Sequence, residues 1–339
     1  MKRVVLILMM VTGLVQVKAQ QRPYYTQYIM NNYILNPAIS GIENYTDVKL
    51  SYRNQWVGID GAPTTFYFTI HTPIGKKDDR TTATSFSTPG ENPRGKAYWQ
   101  EYTAPEPHHG IGMSIVNYKT GYINRFFING SYAYHLGLSP KTNLAAGFAG
   151  GISSIGVDAS QIKLANPVDP AVPNAIAVLH KVKAELSAGL WLYSADYFIG
   201  LSAQQIIPQK LQLTDTKYDN TTLVPHVFAT AGYRFFLSDE VSALPSVMLR
   251  YVPSQPIFTD VNVKLQYLDR FWVGGNFRLK EGFAAMTGFN ISSTFNVSYS
   301  YEVNNSRYLL QSQQRGSHEI VLGFLLGNRY GDTCPRNVW

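Results

Sequence analysis

The 339-residue chain is 15% charged and 45% hydrophobic, with 23 Tyr, 17 Phe and 27 Gly. A soluble domain carries about 25% charged residues, so this balance argues against an ordinary soluble enzyme array and for a chain with one face turned to lipid. The formal net charge of +7 is too small to demand a nucleic-acid partner, and one cysteine, Cys334, excludes an internal disulfide.

The chain opens with MKRVVLILMMVTGLVQVKAQ: basic Lys2 and Arg3, an apolar run from Val4 to Val15, and a small residue at Ala19. This pattern predicts a secretory signal peptide over residues 1–19, cleaved after Ala19. The apolar run is too short to span a bilayer comfortably as a helix. Cleavage removes Lys2, Arg3 and Lys18 and no acid, bringing the net charge to +4. No later stretch offers about 18 continuous apolar residues, so no transmembrane helix is predicted.

Next comes QQRPYYTQYIMNNYILNPAISG, Gln20–Gly41. Asn36 suits a helix cap, Pro37 the first helical position, and Gly41 the end of a short turn. The aromatic surface of Tyr24, Tyr25, Tyr28 and Tyr33 needs cover. Residues 20–44 are therefore predicted as a plug at the periplasmic mouth or inside a barrel, or alternatively as a periplasmic docking peptide. Gln27, Tyr28, Asn36 and Pro37 are its candidate contact residues.

From Tyr45 onward the hydrophobic period is 2. Runs fall at 45–56, 64–72, 110–118, 122–138, 142–157, 181–193, 196–206, 225–237, 241–251, 257–267, 271–280, 283–290, 293–302 and 316–326. Fourteen is an even count, which a single-chain bacterial barrel needs when both ends lie on one side. With the N-terminus in the periplasm, the long connections at 158–180, 207–224 and 303–315 face outward, while turns such as Ser194-Ala195 face the periplasm. That asymmetry marks an outer-membrane barrel and is foreign to a secreted β-sandwich. The predicted fold is all-β: an antiparallel transmembrane barrel of about 14 strands over 45–326, with a periplasmic tail at 327–339. Residues 75–109 break the loop rule. They are read as a periplasmic insertion, the alternative being a strand pair lost from the count.

Charges inside the strands are informative. Arg53 alternates with Leu50 and Tyr52, Arg250 with Leu249 and Tyr251, and Glu319 with Ile320. A lipid-facing arginine at mid-depth costs about 2–4 kcal/mol, so all three charges are assigned to the lumen. Strands one and fourteen must meet to close the barrel, which predicts that Arg53 and Glu319 approach each other there. Between strands one and two, Trp56, Gly58, Gly61 and Pro63 define a short, preorganised turn at the first extracellular connection. No catalytic constellation, metal-ligand spacing or phosphate loop emerges. No enzyme, cofactor or metal is expected.

Several stretches, TQYIMNNYILNPAISG, YRNQWVGIDGAPTTFYFTIHTPIG, LPSVMLRY, FWVGGNFRL and GSHEIVLGF, together resemble the PorP/SprF family of type IX secretion system membrane proteins. The resemblance spans about Tyr24 to Leu326. It implies a non-enzymatic outer-membrane barrel of the export and gliding machinery. It also implies service to a particular secreted surface protein and contacts with periplasmic, peptidoglycan-linked components. The rival is a porin or hydrophobic-solute barrel, because LNPA near the N-terminus also resembles the hatch of fatty-acid transport barrels.

Overall fold

The computed structural model describes residues 23, 25–76, 104–157, 179–211, 221–253, 255–268, 270–279, 281–292, 294–304 and 316–327. The signal segment 1–19, most of the 75–109 connection, the tail beyond Gly327 and Cys334 lie outside the described residues.

Period-2 alternation produces strands at β1 (Thr46–Asn54), β2 (Thr64–Ile74), β3 (His108–Thr120), β4 (Ile123–Ser139), β5 (Thr142–Val157), β6 (Leu179–Tyr193) and β7 (Tyr197–Gln204). A small hairpin, β8 (Gln209–Leu211) with β9 (Thr221–Leu223), forms a separate two-stranded sheet. The wall resumes with β10 (His226–Tyr233), continued by the two-residue β11 (Phe235–Phe236), and then β12 (Val241–Tyr251), β13 (Phe258–Tyr267), β14 (Phe271–Arg278), β15 (Gly282–Asn290), β16 (Phe295–Asn304) and β17 (Ser317–Leu326). All pairings are antiparallel between chain neighbours, apart from the β1–β17 pair, which closes the ring. Fourteen strands thus form a closed barrel, and no wall strand is left with an open edge of unpaired N–H and C=O groups. The closing pair runs in continuous register from Thr46↔Leu326 to Asn54↔His318.

Alternation sorts the side chains. Tyr52, Phe148, Leu201 and Ile320 point outward and are 46–56% exposed. Their in-strand neighbours Arg53 and Glu319 point inward and are 1% exposed. An apolar exterior around a polar interior inverts a soluble protein and matches a wall bathed in lipid. β1 runs from what we call the proximal end of the barrel to the distal end. The distal end carries the β1–β2 turn, and the proximal end holds the start of β1 and the end of β17.

The segment before β1 lies inside the barrel. Tyr28, Ile29, Ile34, Leu35, Ala38, Ile39 and Ile42 are buried. They pack against wall residues such as Trp191, Phe198, Leu244 and Trp272 on one side, and Tyr67, Val116, Phe127 and Phe228 on the other. Three 3-10 turns shape it: Tyr28–Met30, Asn32–Ile34 and Pro37–Ile39. The last is capped by Asn36, whose side-chain oxygen accepts from the Ala38 N–H at 3.0 Å. It is a single 3-10 turn, since Gly41 (φ 74) redirects the chain two residues after it ends.

Candidate functional site

The plugged lumen is the site, and the plug is fastened at both ends. At the distal end, five wall strands contribute charges: Arg53 from β1, Asp260 from β13, Arg278 from β14, Glu302 from β16 and Glu319 from β17. Arg53 and Glu319 are register partners across the closing seam. Arg53 Nε lies 3.8 Å from Glu319 Oε2, and its Nη2 donates to Glu302 Oε2 at 2.8 Å. Arg278 reaches Glu302 Oε1 and Asp260 Oδ1, each at 3.1 Å, and Glu281 at 3.5 Å. Burial raises the Glu281 carboxyl above its usual range, against the opposing pull of Arg278.

The plug completes this cluster. The Thr26 N–H donates to Glu319 Oε2 at 2.9 Å, and the Thr26 hydroxyl to Glu302 Oε2 at 2.6 Å. The Gln27 N–H donates to Glu319 Oε2 at 3.3 Å, and its side-chain amide to the Glu319 carbonyl at 2.9 Å. Carboxylates so deeply buried are stable only when their lone pairs are used. Here the plug and the closing strands use them together. One turn on, Tyr28 bonds through its hydroxyl with the Asn262 side chain, and Asn276 donates to Asn262 at 2.8 Å.

The middle of the plug lies against the wall of β4 to β7. The Asn36 amide donates to the carbonyls of Leu190 (2.9 Å) and Leu201 (3.3 Å). The Ser202 hydroxyl donates to Leu35 O at 2.7 Å, and the Gln204 amide to Ile34 O and Leu35 O. Tyr33 shares a hydrogen bond with Ser131 at 2.7 Å, and burial pushes its phenol up to about 12. These bonds satisfy plug backbone that has neither helix nor sheet partners of its own.

At the proximal end, histidines from β2, β3 and β4 hold the Ser40-Gly41 backbone. His135 Nε2 donates to the Ser40 carbonyl at 2.8 Å, while its Nδ1 faces the Tyr193 hydroxyl at 3.0 Å. His71 Nδ1 accepts from the Gly41 N–H at 3.3 Å. His108 lies between the carbonyls of Gly41 (3.2 Å) and Glu106 (2.8 Å), and its ring stacks on His135 at 4.5 Å. The fit is close enough to require glycine: a Cβ on Gly110 would sit 1.8 Å from the Ser40 carbonyl oxygen.

Between plug and wall on the distal side lies a small vestibule of about 70 Å³, open to solvent. Its apolar lining includes Tyr25, Val116, Phe127, Phe228, Met248 and Phe258, with Arg250, Asp260 and Arg278 at one edge.

The residues singled out from sequence fall as follows. Arg53, Glu319, Gln27 and Tyr28 come together at the distal cluster. Arg250 lies beside this cluster, at the same cavity edge as Asp260 and Arg278, with its guanidinium 4.2 Å over the Phe258 ring. Asn36 and Pro37 lie on the β5–β7 wall. The turn with Trp56, Gly58, Gly61 and Pro63 sits at the distal rim. Trp56 (φ 49), Gly58 (φ 98) and Gly61 (φ 69) all adopt left-handed backbone. The turn is tied down on two sides: the Trp56 N–H donates to Ser317 Oγ at 3.2 Å, and the Gly121 N–H to Gly61 O at 2.8 Å. Pro63 O accepts from the Gln55 N–H at 2.9 Å.

Sequence reasoning passed over Glu302, Arg278 and Asp260. The same alternation that singled out Arg53 would have found them, because Arg278 sits between Phe277 and Leu279, and Glu302 between Tyr301 and Val303. The histidines look scattered in sequence. Only the β3–β4 register, which pairs His108 with His135, brings two of them together.

The family model described as type IX secretion system membrane protein PorP/SprF matches residues 17–324. The chain belongs to this family. PorP/SprF proteins are type IX secretion membrane components, and barrel and family together are those of an outer-membrane protein of a secretion system. No curated protein matches the sequence. Among solved structures the chain is similar to the Ralstonia pickettii toluene transporter TbuX, with 9% identity and a TM-score of 0.48, covering 88% of this chain and 92% of that one. It is also similar to the Pseudomonas putida toluene transporter TodX, with 8% identity and a TM-score of 0.46, covering 89% and 93%. A third is the Acinetobacter baumannii outer membrane protein Omp33, with 9% identity and a TM-score of 0.44, covering 85% and 100%.

Proposed function

We infer that this PorP/SprF protein is a non-enzymatic accessory of type IX secretion and gliding, aiding export or surface anchoring of one secreted protein. The observation that carries the reading is the plug fastened at both ends. A barrel whose lumen is closed by buried ionic and imidazole contacts is built to hold and to bind rather than to conduct. The chain is exported by its cleaved signal peptide, and the proximal end faces the periplasm. There the 75–109 insertion meets peptidoglycan-linked partners of the machinery. The distal rim, with the Trp56–Pro63 turn, faces outside and meets the C-terminal region of the secreted protein.

The test is deletion of the gene with a census of surface proteins. One large surface protein should disappear from the cell exterior while the others remain; an unchanged surface would sink the reading. The vestibule favours a second reading, a hydrophobic-solute barrel. That reading predicts solute uptake by liposomes carrying the intact protein, whereas an accessory barrel shows none.

A further inference from the structure

We propose that a trough in the outer wall over β5 to β7 is a binding site for one acyl chain of a membrane phospholipid. This inference stands apart from the secretion role: it concerns the lipid-facing side of the wall, whatever the barrel serves.

Three observations meet here. First, the outward face dips. In one ladder row the side chains run Tyr132, Phe148, Ala188, Ala203 and Val227 from β4 to β10. The neighbouring outward row holds Ala146, Leu190 and Leu201. Phe148, Leu190 and Leu201 stand proud at 48–56% exposure, and the alanines between them leave a trough of about 500 Å³. That is on the scale of small-ligand sites, roughly 300–1,000 Å³. Second, the trough offers a ligand no hydrogen bond. The Ser202 hydroxyl donates into the barrel, to Leu35 O at 2.7 Å, and the Tyr132 hydroxyl is bonded to His109 Nδ1 at 2.6 Å. The peptide groups of the floor belong to the paired ladders of β5 with β6 and β6 with β7. A hydrocarbon chain loses nothing in such a place, whereas an extended polypeptide would bury peptide groups without partners. Third, the floor is held from inside. Gly147 and Gly189 are register partners, and the plug lies directly on their bare backbone. A Cβ on Gly147 would lie 2.6 Å from Ala38 Cα, and one on Gly189 2.0 Å from Asn36 Oδ1. The Asn36 amide holds the carbonyls of Leu190 and Leu201, the two residues whose side chains form one bank. The trough is therefore preformed, and seating a chain costs only the order of the chain itself. It opens sideways onto the lipid-facing wall, so a chain enters it while still joined to a headgroup at the membrane surface. That continuity selects a phospholipid tail as the occupant.

Purified full-length protein in nanodiscs of phosphatidylethanolamine and phosphatidylglycerol would receive a trace of phosphatidylethanolamine bearing a diazirine midway along one acyl chain. After photolysis and digestion, mass spectrometry reads which strands carry the label. Peptides of β5 to β7 should carry several-fold more than β13, whose outward Val261, Val263 and Leu265 are 41–45% exposed on the same wall. Ala188→Leu combined with Ala203→Leu fills the trough from the lipid side. It should bring β5 to β7 down to the level of β13 while heat-modifiable migration stays that of the parent. Phe148→Ala, which removes the opposite bank, should also lower the excess, and it serves if the double variant does not fold. Equal labelling of the two regions in the parent, or an excess that survives the filled trough, overturns the proposal. So does labelling of the trough by a diazirine fatty acid but not by the phospholipid, since a free acid would then be the occupant. A parent whose β5 to β7 are shielded from the probe within a crosslinked dimer overturns it too, since a second copy would then fill the trough. Because no assay of export enters, failed labelling leaves the secretion reading standing, and a failed deletion test leaves the trough standing.

Discussion

Glu302→Gln tests the idea that plug and seam are one unit. The Glu302 carboxylate takes three donors, from Arg53 (2.8 Å), Thr26 (2.6 Å) and Arg278 (3.1 Å), with its side chain 7% exposed. The amide keeps the shape and removes the charge. Arg53 then keeps its longer ion pair with Glu319, at 3.8 Å, and Arg278 keeps Asp260 and Glu281. Taking one partner from a buried ion pair costs about 3–5 kcal/mol, because the remaining charge stays desolvated. Two arginines share this carboxylate, so the loss should fall in the upper part of that range. Denaturant titration of the refolded barrel, followed by its heat-modifiable migration on gels, would read the loss. Limited proteolysis would show cleavage near Thr26 that the parent resists. Glu281→Gln is the control: its side chain is 27% exposed and it lies at the cluster's edge, so it should cost no more than about 1 kcal/mol. If Glu302→Gln and Glu281→Gln came out alike, the buried cluster would not be what fastens the plug.

Gly110→Val should unseat the proximal end of the plug, since even a Cβ there would lie 1.8 Å from the Ser40 carbonyl oxygen; ion conductance in planar bilayers should rise, while Gly130→Ala, with nothing within 4 Å of the added atom, stays silent. Asn36→Ala removes one cap and two wall contacts and should lower stability by about 1–3 kcal/mol, measured by the same denaturant titration. The Tyr33 phenol is raised by burial to about 12 from 10.0, so its contribution is intact below pH 10 and is lost as pH climbs toward 12; Tyr33→Phe should flatten that alkaline decline in thermal stability. On the outer wall, Leu201→Arg should cost about 2–4 kcal/mol in folding into bilayers, the toll for an arginine facing lipid at mid-depth.

Sequence alone carried the class of fold a long way. Strict alternation with aromatic outer faces, an even strand count and long odd-numbered loops admit few architectures besides a lipid-facing barrel, because each strand must show one face to lipid and one to the lumen. That constraint also assigned Arg53, Arg250 and Glu319 to the interior, since the other face penalises charge. The LNPA stretch similarly signalled a capped turn through the chemistry of Asn36 and Pro37 alone. What alternation cannot express is which inward residues meet. Arg53 faces Glu319 because β1 closes on β17, yet its shortest ion pair is with Glu302 on β16, one strand further round. His71, His108 and His135 converge on Ser40 and Gly41 only once the registers of β2, β3 and β4 are set. The plug has no period to read: its polar backbone is satisfied by wall groups up to 293 residues away in sequence, as with Thr26 and Glu319. Local pattern therefore determined which face each residue takes, and closure of the ring decided its neighbours, because contacts across a lumen depend on shear and register that no single strand encodes.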